Sequence, residues 1–415
     1  MEDPAIVSQP SLRRVINATG VVIHTNLGRA PLARVAAEAI TSVASHYSNL
    51  EYDLVTGERG KRESHCQELL ARLTGSEAAI VTNNNAAAVV LVLNTLALGG
   101  EVIVSRGELV EIGGSFRIPD VMEKSGTRLR EVGTTNRTRI GDYEKAINEN
   151  TRLLLRIHPS NYRIVGVTER PSAKEIADLG RRTGIPSFED LGSGCLIDVG
   201  KFGVNDEPVV AESLSAGMSI VSFSGDKMLG GPQAGIIAGA RLLIDRMRKN
   251  PLLRALRVDK STYAAMEATL RLYDQGKAEI EVPVIRAMAT TADCVRERAT
   301  RFAQKIVEGI RGSLEVSLEE GESLIGAGAA PQVTLPTVLV TIRDGIISAA
   351  SLHERLRSQM VPVITRTARD RILIDLRTVE EEEEGMILDA LISICAFASD
   401  NEKVAELSLP AAGPK

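Results

Sequence analysis

Lys227 lies in Ser222-Phe-Ser-Gly-Asp-Lys-Met-Leu-Gly-Gly-Pro-Gln-Ala-Gly235, a small-residue turn after an apolar run that leaves one amine among neighbours with little side chain. Thirty-seven positions earlier, Ile185-Pro-Ser-Phe-Glu-Asp-Leu-Gly-Ser-Gly194 ends another apolar run in Asp190. An amine can form a Schiff base with an aldehyde, and a carboxylate can keep a pyridine nitrogen protonated so that the ring draws electrons. The pair points to pyridoxal 5'-phosphate. Gly192 has no side chain and would let such a ring lie flat against the strand end. Thr82-Asn83-Asn84-Asn85-Ala86 precedes an alanine-rich helical stretch, where free amides suit a phosphate; alone, the motif reads equally well as an Asn cap. Ser222 and Ser224 complete the candidate cofactor set.

These residues need a scaffold that brings distant segments together. Short β-rich runs alternate with helical patterns between about residues 75 and 240: Glu77–Thr82, Glu101–Ser105, Leu129–Gly133, Arg152–His158, Ser219–Phe223 and Gly235–Gly239. Asp142–Asn150 and Ser172–Thr183 carry helical spacing between them. The alternation predicts an α/β fold with a mostly parallel sheet, whose ligands collect at the carboxyl ends of its strands. A long helix over Thr262–Gly276 should lead into a smaller α+β lobe built from Cys294–Gly309, Leu314–Leu318, Val338–Ile342, Ala349–Ser358, Arg371–Leu376 and Glu380–Phe397. Gly321–Pro331 reads as a small-residue loop, and the acidic run Glu380–Glu384 as a helix start favoured by the dipole. The expected organisation is a short arm over residues 1–12, a cofactor-binding domain over 13–276, a small domain over 277–400 and a frayed tail over 401–415.

Composition narrows the function classes. A chain of 415 residues exceeds what one hydrophobic core sustains, and 44% hydrophobic with 25% charged residues is ordinary for a globular enzyme. The longest apolar stretch, Ala86–Leu98, is too short to span a bilayer, and the acidic, proline-broken start does not read as a signal peptide; a cytoplasmic location is expected. Cys66, Cys195, Cys294 and Cys395 are widely separated, so neither a zinc site nor a disulfide framework is expected. Of the five histidines only His24 lies inside a motif. A net charge of −5 argues against a global basic field for nucleic acid, which would have to meet a local patch such as Arg241–Lys260.

The chain resembles the bacterial selenocysteine synthase family, the L-seryl-tRNA(Sec) selenium transferases, within the aspartate-aminotransferase-like fold-type-I superfamily of pyridoxal phosphate enzymes. The resemblance runs from about Arg13 to Phe397. It rests on Arg14-Val-Ile-Asn-Ala-Thr-Gly-Val-Val-Ile-His-Thr-Asn-Leu-Gly-Arg29, Tyr47-Ser-Asn-Leu-Glu-Tyr-Asp-Leu54, Ser105-Arg-Gly-Glu-Leu-Val-Glu-Ile-Gly-Gly114, Val132-Gly-Thr-Thr-Asn-Arg137 and Ser222–Gly235. It implies that Lys227 carries the cofactor and that Arg29, Arg254 and Arg257 line an anion pocket for selenophosphate. The i, i+3 spacing of Arg254 and Arg257 would place both on one helix face. Asp226 would serve in proton transfer or orient the lysine loop.

The reaction implied is conversion of seryl-tRNA(Sec) to selenocysteinyl-tRNA(Sec) with selenophosphate, through an aminoacrylate, in a homo-oligomer of at least dimers that does not engage a membrane. Arg59, Lys61 and Arg62 would reach a neighbouring site or tRNA phosphates. Bacterial members carry a helical tRNA-reading domain ahead of the Arg14 motif, which only about a dozen residues precede here, so weak tRNA selection is expected of these residues. The run Gly321-Glu-Ser-Leu-Ile-Gly-Ala-Gly-Ala-Ala330 replaces a Gly-Gly-Gly-Ser segment usual in the family. Two other readings remain: a pyridoxal phosphate lyase or transferase for a small hydroxy or sugar amino acid, with Arg366 or Arg377 clamping its carboxylate, and a catalytically silent tRNA-binding or assembly protein.

Overall fold

The computed structural model describes residues 10–109, 111–112, 116–205, 207–310, 314–326, 328–330 and 332–407. Residues 1–9 of the expected arm over 1–12, and residues 408–415 of the expected tail over 401–415, lie outside the described residues. Contacts divide the chain into two compact units, one of residues 23–289 with 325–333, the other of residues 1–22, 290–324 and 334–415.

The larger unit is built on a seven-stranded sheet in the order Ala78–Thr82, Gly235–Gly239, Ile220–Ser224, Ser187–Gly192, Thr151–Ile157, Glu101–Ser105, Arg128–Val132. Gly235–Gly239 runs antiparallel to both its neighbours, and the other pairs are parallel. Interior strands of such a sheet are covered on both faces, and every residue of Ala78–Thr82, Ile220–Ser224 and Gly235–Gly239 is buried. The alanine-rich helix Asn85–Ala97 is apolar nearly all round and contributes Ala88, Leu91, Val92 and Leu93 to the core beneath the sheet. Ser172 starts the helix Ala173–Thr183 with a reciprocal capping box to Glu175. Asp142–Asn150, expected as one helix, is helical only as Ile140–Ala146, because Asn148 turns the chain by accepting from Asn150 N–H and the next strand begins at Thr151.

The smaller unit carries a five-stranded sheet in the order Arg366–Ala368, Arg371–Asp375, Thr334–Asp344, Leu314–Gly326, Val21–Ile23. Leu314–Gly326 is a thirteen-residue strand. The loop expected from Gly321 is therefore strand as far as Gly326: the ladder with Thr334–Asp344, running from Leu314↔Asp344 to Leu324↔Thr334, outweighs the local preference of glycine. Helices Ala292–Gly309, Ala349–Arg357 and Glu381–Leu407 accompany the sheet, and the last continues seven residues into the expected tail. Its acidic start is held by ion pairs, Arg14–Glu383 and Arg298–Glu384, as well as by position.

The unit boundary expected after Gly276 lies after Ala289, since helices Ala278–Glu281 and Pro283–Ala289 pack with the larger unit. Residues 13–22 belong to the smaller unit and not to the larger domain, because Ile16–Asn17 pairs in parallel with Val363–Ile364. No local pattern could report a pairing across that span of sequence. Among the described residues no helix is long and apolar enough to cross a membrane, and no group of His, Cys, Asp or Glu is placed to hold a metal.

Candidate active site

Asp190 sits near the carboxyl end of the central strand Ser187–Gly192, 5% exposed. Its Oδ1 accepts from Asn85 Nδ2 at 2.8 Å and from Ser222 Oγ at 3.2 Å, and the Gly192 backbone N–H also serves it. Burial nevertheless pushes its pKa up, against these donors and against the charge of Lys227. A buried carboxyl so placed favours a cationic partner. Gly192 thus contributes its backbone to Asp190, a role not foreseen in its lack of a side chain. Ser224 is buried at the end of the adjacent strand, and Ser222 is the serine that reaches Asp190.

Lys227 follows that strand in a turn closed by Gly230 N–H to Lys227 O and Gly231 N–H to Gly225 O. It is 8% exposed, and its Nζ donates to Gly328 O at 3.3 Å. Burial, then the charge of Arg29, holds the amine below the ordinary lysine range, opposed by Asp190, Asp226 and Glu207. A buried amine of lowered proton affinity is shifted in the direction that a nucleophile requires.

The Asn motif divides its labour. Asn84 caps the helix Asn85–Ala97 by accepting from Ala87 N–H at 2.9 Å, while Asn85 holds Asp190. Asn83 N–H donates to Leu256 O at 2.8 Å, and Thr82 bridges Arg257, which anchors the arginine segment beside this turn. Ala86 lies in the first turn of the helix, whose first amides have no intrahelical acceptor. Gly235 permits the close approach: a Cβ there would stand 2.1 Å from Asn84 O.

The three arginines do not form one cluster. Arg29 Nη1 pairs with Asp226 Oδ2 at 2.7 Å, beside Lys227. Arg254 and Arg257 instead line a cavity of about 390 Å³ with Arg59, Lys61 and Arg62, opposite Glu51. Their shared helix face is not found, because the helix Leu252–Leu256 ends before Arg257, whose backbone is extended at φ −70°, ψ 152°. Arg62 donates to Val258 O at 3.0 Å and pairs with Glu51, which ties the Arg59–Arg62 loop to the same segment. Arg366 donates to Glu322 O and pairs with Asp375, and Arg377 donates to Ser323 Oγ, Thr290 O and Pro336 O. Of the two alternatives for a carboxylate clamp, Arg377 is thus engaged by protein acceptors, whereas Arg366 keeps a buried Nε without a hydrogen-bond partner.

Several neighbours carry no motif. His158, in the turn after Thr151–Ile157, donates its backbone N–H to Asp190 O at 2.8 Å and points Nε2 toward Glu207 Oε2 at 3.8 Å. Glu207 accepts from Ser193 Oγ and from Ala330 N–H. His158-Pro159 at a strand end and Glu207-Pro208 were the only traces in the sequence, and both are common in turns. Buried Asn85 Oδ1 and His158 Nε2 have no hydrogen-bond partner, which is unusual for buried polar atoms and marks both as groups that fit a bound polar molecule. An amine, a buried acid, a capped helix N-terminus and two unmatched polar atoms fit a phosphorylated pyridine aldehyde.

Residues 15–380 match the family model described as L-seryl-tRNA selenium transferase. The chain is 52% identical over 382 residues to the L-seryl-tRNA(Sec) selenium transferase of Geobacter sulfurreducens, covering 92% of this chain and 83% of that one. Over 385 residues it is 52% identical to the protein of the same name from Alkaliphilus metalliredigens, covering 92% and 82%. Its fold matches the solved structure of D-glucosaminate-6-phosphate ammonia-lyase with a TM-score of 0.63 at 21% identity, over 96% of this chain and 100% of the other. The sheet order and the match to that structure give an α/β fold on a mostly parallel sheet, and the chain belongs to the L-seryl-tRNA selenium transferase family.

Proposed function

We propose that this chain is a transferase that converts seryl-tRNA(Sec) to selenocysteinyl-tRNA(Sec), with pyridoxal 5'-phosphate held at Lys227 and selenophosphate as the selenium donor. The observation that carries the reading is the buried Asp190, braced by Asn85 and Ser222 beside the amine of Lys227, in a chain 52% identical to named selenium transferases. When bound, the cofactor supplies an aldehyde and an electron-withdrawing ring that acidifies the bond from Cα to hydrogen.

The protein's part can be assigned atom by atom. Lys227 Nζ would hold the cofactor through its aldehyde and is the group placed to accept the proton of the seryl Cα. Asp190 stabilises positive charge on the ring nitrogen, and Asn85 and Ser222 fix that carboxylate in place. The first amides of the helix Asn85–Ala97 receive the phosphate. Arg254 and Arg257, near the Asn83 turn, hold the oxyanion of selenophosphate with guanidinium forks suited to it. Asp226 orients Arg29 beside the amine. The exchange replaces the seryl hydroxyl by a selenol and leaves inorganic phosphate.

The engaged state of Arg377 favours an aminoacyl ester, which has no free carboxylate, over a free amino acid clamped by that residue. A homo-oligomer belongs to the same reading, supported by the exposed apolar side chains of Tyr47, Leu54 and Val55. So does a cytoplasmic location, where aminoacyl-tRNA is made. The test is turnover with seryl-tRNA(Sec) and selenophosphate beside free serine: selenocysteinyl-tRNA only from the former supports the reading, and turnover of free serine alone removes it.

A further inference from the structure

The segment Gly328–Ala330, at the end of the run whose residues depart from the family's usual Gly-Gly-Gly-Ser, approaches the lysine. Gly328, at φ +79°, accepts from Lys227 Nζ, and a Cβ there would stand 2.5 Å from that nitrogen. Ala330 holds φ +42°, a conformation that costs an L-residue energy and persists only where surrounding contacts impose it. The contact that imposes it is visible: Ala330 N–H donates to Glu207 Oε2 at 2.9 Å. The other oxygen of Glu207 accepts from Ser193 Oγ, in the turn that follows the Asp190 strand. The Glu207 side chain is fully buried, and buried carboxylates are costly unless donors surround them.

We propose that Glu207 is a positioning residue of the lysine site: its carboxylate ties the strained Gly328–Ala330 segment to Ser193 and so presents the Gly328 carbonyl to Lys227 Nζ. The inference rests on Lys227 being the reacting amine. Glu207 acts on protonation as well as place: after Asp190 and Asp226, its charge raises the proton affinity of Lys227 against burial and Arg29, and His158 Nε2 faces Glu207 Oε2 at 3.8 Å.

Three variants of the cofactor-loaded full chain separate these effects. Glu207→Ala removes the tether and the charge, Glu207→Gln removes the charge but keeps an acceptor oxygen, and Ser193→Ala cuts one tether and keeps the charge. Amide hydrogen exchange over residues 328–330 should rise at least roughly tenfold in Glu207→Ala, the scale of a lost hydrogen bond to a charged group, and less in the other two. The pH midpoint of the cofactor's visible absorption should fall in both Glu207 variants and stay in place in Ser193→Ala. Lowered thermal stability with exchange and midpoint at wild-type values would make Glu207 merely structural and overturn the proposal. Should Glu207→Ala fail to fold, Glu207→Gln and Ser193→Ala decide by the same two readouts. Neither readout involves tRNA or selenium, so a wild-type chain inactive on seryl-tRNA(Sec) would sink the proposed reaction and leave this result standing.

Discussion

Arg29 Nη1 lies 2.7 Å from Asp226 Oδ2, so the residue directly before Lys227 holds a guanidinium beside the amine. The two charges act on Lys227 in opposite directions, Arg29 lowering its proton affinity and Asp226 raising it. Substituting each should therefore move the amine oppositely. Arg29→Ala is expected to raise the pH at which Lys227 loses its proton. Asp226→Asn is expected to lower it, both by removing a negative charge and by leaving Arg29 unneutralised. Labelling of Lys227 in the cofactor-free chain with an amine-selective reagent over a pH series, read by mass spectrometry, measures both shifts. Shifts of the same sign would show that the pair does not set the protonation of the amine.

Asp190 should cost the cofactor-free protein stability in return for its chemistry. Burial raises its folded pKa above the unfolded value, so its contribution is unfavourable above the unfolded carboxylate range and vanishes as pH falls through it. Asp190→Asn keeps the oxygen that accepts from Asn85 and Ser222 but removes the charge. The variant without cofactor is expected to melt higher than wild type at neutral pH and alike in strong acid. With cofactor and substrate it should lose roughly two to three orders of magnitude in kcat, the scale of removing one preorganised electrostatic partner. Thermal melts at two pH values and single-turnover rates check both halves, and a lower melting temperature at neutral pH would contradict the first.

The parts of this site that the sequence disclosed are those where a local rule and the tertiary fold agree. Glu101–Ser105 and Gly235–Gly239 are strands at the bounds that their apolar runs suggested, because central strands need no partner information to be recognised. Lys227, Asp190 and Asn85 were legible because each sits at a strand end or a helix start. What escaped depends on pairing at a distance. Gly321 and Gly326 look like loop residues until the ladder to Thr334–Asp344 is known, and Ile16–Asn17 finds its partner at Val363–Ile364. Arg257 shares its spacing with Arg254 but leaves the helix to bridge Thr82. Glu207 was missed because its donors, Ser193 and Ala330, lie on either side of it in sequence and meet only in the fold.

Arg254 and Arg257 are both exposed and line a cavity in which Glu51 is paired with Arg59 and Arg62. Their own charges remain available to an anion. Arg254→Ala and Arg257→Ala should each lower kcat/KM for selenophosphate by roughly tenfold, the scale of one charge-assisted hydrogen bond. The visible absorption at Lys227 should be unchanged, since the backbone of Arg257 and not its side chain meets Thr82. Raising the ionic strength should weaken selenophosphate use in the wild type more than in either variant. Wild-type efficiency in both variants would move the anion elsewhere.

Gly235 is where the sheet and the cofactor helix come nearest, and it offers a test of how finely that junction is set. It pairs with Ser224 on one side and Thr82 on the other, and its carbonyl accepts from Thr82 Oγ1 at 3.0 Å. A methyl at this position would meet Asn84 O at 2.1 Å, Asn84 C at 2.4 Å and Thr82 Oγ1 at 2.7 Å, all in buried or helix-capping structure that cannot swing aside. Gly235→Ala must then push the Asn84 turn outward. Overpacking of this kind costs about 1–3 kcal/mol, and disturbing the Asn84 cap about 1 kcal/mol more. The displaced turn also carries Asn85, so its hold on Asp190 loosens at the same time. Gly235→Ala is therefore expected to lower the melting temperature and to weaken cofactor binding by roughly tenfold or more, as small displacements of a preorganised site do. Asn84→Ala, which loses the cap without the clash, should show the smaller loss in both. Equal cofactor affinity in wild type and Gly235→Ala, measured by absorption titration, would mean that the helix start tolerates displacement and does not set the phosphate site.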